Sequence, residues 1–159
     1  MRELFEAIEQ MFKIEKKIEL KLRGEPIYLK RFKWEEIVFN KRIFSEAEKL
    51  RNKFGNNARK DFLTKLIKKP DALKKLKNAG ITDDEIKLLK NGKVPKGWNV
   101  HHKLPLEDGG NNNFENLVLI KNEPYHYALS AYQKTATKGM KEGEAINIKW
   151  PIYDGYIYP

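Results

Sequence analysis

The stretch Trp98-Asn99-Val100-His101-His102-Lys103-Leu104-Pro105-Leu106-Glu107-Asp108-Gly109-Gly110-Asn111-Asn112-Asn113-Phe114-Glu115-Asn116-Leu117-Val118-Leu119-Ile120-Lys121-Asn122-Glu123-Pro124-Tyr125-His126 decides how this chain reads. Trp98-Asn99-Val100 alternates apolar and polar residues, the period-2 pattern of a short strand, with Trp98 and Val100 toward a core and two histidines at its end. Glu107 to Asn113 is almost pure turn composition and reads as a loop. Leu117-Val118-Leu119-Ile120 reads as a second strand, and Asn122 as the cap of a helix with Pro124 in its first turn. A strand, long loop, strand and helix in that order bring the end of the first strand beside the start of the helix. The pair His101-His102 and the later His126 then converge on one point.

Upstream the reading is mainly helical. Leu4, Phe5, Ile8, Met11 and Phe12 form an amphipathic stripe. Ile18, Leu20 and Leu22 alternate with charged residues, Arg23-Gly24-Glu25-Pro26 can turn, and Ile27-Tyr28-Leu29 can pair back as a hairpin. Arg42 to Phe54 reads as a helix ended by Gly55, and Ala58 to Lys68 as another, stopped before Pro70. Asp71 to Asn78 is a short helix, and Thr82 with Glu85 makes a capping box for the helix that follows. The closing Trp150, Tyr153, Tyr156 and Tyr158 read as a strand or turn packed on the body, bent at Asp154-Gly155.

Charge separates the same two regions. The 159 residues carry 32 Lys+Arg against 22 Asp+Glu, a net charge of +10. All of that excess lies in residues 1–95, whereas residues 96–159 are neutral and hold all three histidines. A basic body beside a small polar centre suits a polyanion, because Lys and Arg that neutralise phosphates release counterions and steer association. The competing reading is a solvated, solubilising surface. The clusters Lys16-Lys17, Lys68-Lys69 and Lys74-Lys75 lack interleaved aromatics in sequence and read as solvated faces. Arg59 and Lys60, read as opening a helix after Gly55-Asn56-Asn57, are candidates for phosphate contact, with a structural role as the alternative.

With no cysteine, disulfides, thiolate nucleophiles and Cys-type zinc or iron–sulfur sites are excluded. No apolar run approaches the ~18 residues of a membrane span, so no membrane anchor is expected. The acidic start Met-Arg-Glu-Leu-Phe-Glu leads to the expectation of no signal peptide.

Consecutive strand residues point to opposite sides, so His101 and His102 do not readily bind one ion together. One imidazole can ligate a metal while its neighbour stays free as a base, with an ordinary pKa of ~6.5 that suits proton abstraction near neutral pH. His126 can supply a second imidazole, and two such ligands leave positions open for water and phosphate oxygens.

The pattern His101-His102, then Asn116 fourteen positions on, then His126 ten positions after that, with Gly109-Gly110 between, resembles the HNH nucleases and their ββα-metal motif. Among these it is most similar to bacterial nuclease toxins, the DNase domains of colicin-type bacteriocins and the polymorphic toxins of Rhs, contact-dependent and type VI delivery. The resemblance implies His101 and His126 as ligands of one divalent ion (Mg, Mn, Ni or Zn) and His102 as the base. It implies that Asn116 holds the loop and orients His102, with Asn112 and Asn113 as alternatives for that role. Four residues after His126, where colicin-type members have a further ligating histidine, this chain has Ser130, which points to a water-rich metal sphere. Lys103, beside the base, reads as a phosphate contact or as an exposed loop lysine.

The expected architecture is a single α+β domain. Residues 1–95 form a basic, mainly helical region packed on an HNH core at 96–138, followed by an aromatic tail at 139–159. The resemblance implies a metal-dependent DNase of little sequence specificity, neutralised by an acidic immunity protein and delivered within a secreted effector to act in the target cell's cytoplasm. The alternatives are an RNase or tRNase toxin, a phage or repair nuclease, and a non-catalytic nucleic-acid-binding module.

Overall fold

The continuous apolar run Leu117-Val118-Leu119-Ile120 is buried on both faces, as an unbroken apolar strand requires, and the rest of the molecule is arranged around it. The computed structural model describes residues 1–7 and 17–159. Strand β4 (Trp98–His102) pairs antiparallel with β5 (Leu117–Lys121), setting His101 opposite Val118 and His102 opposite Leu117. Leu117 and Leu119 face a helical layer with Trp98, Val100, Phe62, Leu63, Leu66, Leu76, Ile86 and Leu89. Val118 and Ile120 face the opposite layer, with Ala128 and Leu129 of helix α6 (Tyr127–Ala136) and with Ile18, Leu20 and Leu29. Fully burying a leucine contributes ~1.5–3 kcal/mol, so the four side chains of this strand anchor the segment beside the histidines to both layers.

The predicted hairpin is present. Strands β1 (Lys17–Leu22) and β2 (Glu25–Lys30) are joined by Arg23 and Gly24, both with positive φ, which is the two-residue turn that matches strand twist. At its tip Arg23 makes a two-pronged contact with Glu123, at 2.8 and 3.1 Å, just before α6.

The mainly helical expectation for residues 1–95 needs correction at 32–40. Phe32–Asn40 forms β3, a nine-residue strand paired antiparallel over its length with β6 (Ala145–Tyr153). Five of the nine residues of β3 are apolar, but Trp34 and Val38 are exposed and only Phe32 and Phe39 are buried, and Glu35-Glu36 followed by Ile37-Val38-Phe39 breaks period-2 alternation in the sequence. Its partner strand lies more than a hundred residues away. Residues 2–7 are helical (α1), but Leu4 and Phe5 are exposed. The remainder of that predicted stripe, Ile8, Met11 and Phe12, lies outside the described residues.

Gly55 does not end the second helix. Helix α2 (Phe44–Lys53) runs through a π turn, Phe54–Ala58, into α3 (Arg59–Leu66) without leaving helical backbone angles, and Arg59 N–H reaches back to the Phe54 carbonyl. Arg59 and Lys60 therefore do not open a helix, and no free N-terminus is available there for an anion. Helices α4 (Ala72–Asn78) and α5 (Asp83–Lys90) complete this layer, the latter with both bonds of the Thr82–Glu85 capping box formed. Asn122 is also not a side-chain cap. Residues Asn122–His126 form a kinked π turn with Glu123 extended, and the Asn122 amide reaches the Trp98 carbonyl instead.

The tail is part of the structure's centre. Trp150 is fully buried and donates its indole N–H to the Lys103 carbonyl at 2.7 Å. Beyond the bend, Ile157 bridges Leu119 in parallel, with the Tyr156 carbonyl and Tyr158 N–H bonding to Leu119.

Candidate active site

Strand β4 delivers His101 and His102 to one wall of a cavity of about 440 Å³, and the start of α6 delivers His126 and, one turn later, Ser130. Phe54 and Arg51 of the α2–α3 helix and Glu107 of the loop close another side. The rings of His101 and His126 meet edge to face with centroids 5.3 Å apart. His126 Nδ1 is buried and has no hydrogen-bond partner among the described residues. Leaving such an atom unpaired costs roughly 1–3 kcal/mol, and a cation is the partner that imidazole lone pairs on neighbouring rings would share.

His102 is held separately. Its ring lies 4.4 Å from that of Phe54, and its Nε2 is 2.9 Å from Asn112 Oδ1. The orientation of that amide is fixed from behind, because Asn112 Nδ2 donates to the Leu50 carbonyl at 2.9 Å and a carbonyl only accepts. Asn112 therefore presents oxygen to the ring, Nε2 carries the proton and Nδ1 keeps the lone pair. The expectation gave Asn116 two jobs, and the structure divides them. Asn116 holds the loop through three backbone bonds, accepting from Leu104 N–H and donating to the carbonyls of Leu104 and Asn111, at 2.8–2.9 Å. It makes no hydrogen bond to His102, whose orientation is set by Asn112.

Two further features fix the loop. Arg42 donates to the carbonyls of Leu106 and Gly110. A Cβ on Gly110 would come within 1.8 Å of the Leu104 carbonyl oxygen, so only glycine fits. The buried Asp108 carboxylate accepts from Gln133 of α6, which also lines the cavity. Arg51 and Glu107 form an ion pair at the rim. Sequence patterns do not single out Arg51, Phe54 or Arg42, because they reach the site from elements distant in sequence, nor Gln133, which lies on α6 two turns beyond His126.

Burial governs the protonation of all three rings. It pushes His101 well below its ordinary pKa, helped by the repulsion that a protonated ring would meet from Lys103 and from His126 and His102 whenever they are charged. His102 is lowered by burial and partly raised again by the Asn112 bond, and His126 is lowered by burial. All three are thus neutral near pH 7, the state required of a metal ligand and of a base. Among the described residues there is no group of three or more His, Cys, Asp or Glu that could hold a metal ion. A site here would rest on two imidazoles, and the side chain at the position of the missing third is the Ser130 hydroxyl.

The remaining candidates lie elsewhere. The Arg59 guanidinium sits over the Phe54 ring at 5.7 Å, behind the cavity wall, and the Lys60 stem occupies the space a Cβ on Gly92 would need. Lys103 places its ammonium 4.9 Å from the centre of the Tyr156 ring and is half-buried. Lys69 lies over Phe114 and Tyr156, so some of the lysines do meet aromatic faces that adjacent sequence did not reveal.

No family model matches the chain, and no solved structure matches it. The chain is similar to the Uncharacterized protein YhhZ of Escherichia coli (strain K12), with 42% identity over 139 residues that take in 87% of this chain and 34% of that protein. It spans about a third of the length of this curated relative. No helix of the described residues is long and apolar enough to cross a membrane.

Proposed function

We propose that this chain is a metal-dependent endonuclease of the HNH type that hydrolyses DNA with little sequence preference. The observation that carries the reading is the division of labour among three neutral imidazoles on one cavity. His101 and His126 adjoin each other with a buried, unpartnered ring nitrogen, while His102 is bonded separately to Asn112.

His101 and His126 would hold one divalent ion, which would supply positive charge to stabilise the phosphodiester as negative charge develops on it. His102 takes a proton from water at Nδ1 as the water oxygen bonds to phosphorus and the bond from phosphorus to the 3′ oxygen breaks. The released 3′ oxygen gains a proton from solvent, leaving 5′-phosphate and 3′-hydroxyl ends. Asn112 keeps the Nε2 proton in place so that Nδ1 stays available, and Phe54 restricts the ring's rotation. Asn116, Arg42 and Gly110 keep the loop that carries Asn112 in register with β4. The net charge of +10 supports a polyanionic substrate.

We extend the reading to an antibacterial effector domain, neutralised by an acidic immunity protein. The test of the enzymatic part is incubation of plasmid and of RNA with the protein and Mg²⁺, Mn²⁺, Ni²⁺ or Zn²⁺, with a chelator control. Ion-dependent nicking of the plasmid is expected; cutting of RNA alone would replace DNA as the substrate, and cutting of neither with any ion would contradict the enzyme. Toxicity on expression, relieved by an acidic neighbouring gene product, tests the effector role.

A further inference from the structure

A second cavity, of about 460 Å³, lies between the start of α4 and the bend that follows β6. Arg31, Lys69 and Lys75 line it together with Tyr153 and Tyr156, and Asp154 is its one acidic side chain. Arg31 comes from the turn after β2, and Lys69 and Lys75 from α4 and the segment that leads into it. None of them forms an ion pair within 4.0 Å of a carboxylate among the described residues. Lys69 is held between two rings, 4.8 Å from the centre of Phe114 and 5.1 Å from that of Tyr156, which orders a side chain that would otherwise sample many rotamers. Arg31 occupies the turn between β2 and β3 with φ of +65°, where glycine or asparagine would be less strained. Lys103, the residue after His102, places its ammonium on the same Tyr156 ring. A row of cations therefore runs from the residue beside His102, across Tyr156, into this cavity. Asp154 and Glu115 offset part of this charge at Lys103, and the remaining excess of cations is unfavourable until a further anion comes between them.

We infer that this cavity is a second phosphate site, which seats a backbone phosphate of the nucleic acid strand whose scissile diester lies at His102. The site deepens the nuclease reading and rests on it for the identity of the strand. It explains how a small catalytic cavity could hold a long polymer without reading bases: the contacts go to phosphate, which is the same at every step.

The test uses the full chain and a fluorescein-labelled 30-base-pair DNA duplex in chelator, so that binding is read without cleavage. Arg31→Gln/Lys75→Gln is compared with Lys87→Gln/Lys90→Gln, an equal loss of charge on the exposed side of α5. The cavity variant is expected to weaken binding about tenfold and to flatten the dependence of log K on log salt by about 1 to 2, with the α5 variant near wild type. Arg31→Lys/Lys75→Arg should restore most of the affinity. Hydrolysis of the small diester bis(p-nitrophenyl) phosphate with Mn²⁺ should be unchanged in the cavity variant. Equal weakening by both glutamine pairs, unchanged binding in the cavity pair, or no binding by wild type would overturn the inference. If wild type binds the duplex in this pattern but hydrolyses no diester, the catalytic reading fails while the phosphate site stands.

Discussion

Asn112 bridges two elements that are far apart in sequence, accepting from His102 Nε2 on β4 and donating to the Leu50 carbonyl on α2, each at 2.9 Å. The bridge couples the helical layer to the protonation geometry of one imidazole. A base is useful only if the nitrogen with the lone pair is the one that meets water, and this relay fixes which nitrogen that is.

Removing the relay should therefore damage catalysis more than folding. Asn112→Ala is expected to lower kcat by about 10- to 100-fold with little change in KM, as read by initial rates of plasmid nicking. Equal loss in Asn113→Ala, whose side chain makes no such bridge, would show that the loop and not the relay is responsible.

Asn116→Ala should act chiefly on stability. Three backbone groups lose their partner at a net ~1 kcal/mol each, so unfolding in urea should show a loss of about 3 kcal/mol. A variant as stable as wild type would mean that the loop is held without it.

Gly110→Ala tests the loop from its backbone. A methyl group cannot share space with the Leu104 carbonyl oxygen, so the strand-to-loop junction must move and displace Asn112 with it. Both the melting temperature and nicking should fall. An unaltered melting temperature would contradict the close approach.

Ser130→His should convert the site toward tighter zinc binding. Ser130 lines the cavity one helical turn beyond His126, where a third imidazole would reach the same ion. Calorimetric titration should show at least a tenfold gain in Zn²⁺ affinity, about 1.4 kcal/mol. No gain would argue that the side chain at 130 is not aimed at the ion.

Burial raises the Asp108 carboxyl pKa, with the Gln133 bond opposing, so the native state holds its proton more tightly than the unfolded chain does. Its stability contribution is present at pH below the unfolded value of ~3.9 and is lost as pH rises through the folded value. Asp108→Asn should therefore be more stable than wild type at pH 7 and similar to it at pH 3.5 in urea unfolding. The reverse order would show the carboxylate to be stabilised in the fold.

The parts legible in sequence were those whose signal is local. The β1–β2 turn announced itself through Arg23-Gly24, β5 through four consecutive aliphatic residues, and the α5 cap through Thr82 and Glu85. The spacing of His101, His102 and His126 needed only the strand–loop–strand–helix order to bring the rings together. What escaped was determined by tertiary contact. Strand β3 lacks period-2 alternation and owes its pairing to β6, more than a hundred residues away. The helix through Gly55 persists because a π turn absorbs the Gly-Asn-Asn segment, which local propensity marks as a stop. Asn112 and Asn116 share composition, loop and neighbourhood, and only the Leu50 carbonyl, delivered by a distant helix, tells their roles apart.

On the proposed reading, two histidines grip one divalent ion while the third is left free as the base. The most direct measurement is a parallel titration of His102→Ala and His126→Ala with Mn²⁺ or Ni²⁺, each followed by plasmid cleavage at saturating ion. His102→Ala is expected to bind the ion as wild type does but to cleave about 10²- to 10⁴-fold more slowly, and His126→Ala to lose both properties. Wild-type cleavage by His102→Ala, or undiminished ion binding by His126→Ala, would contradict this reading.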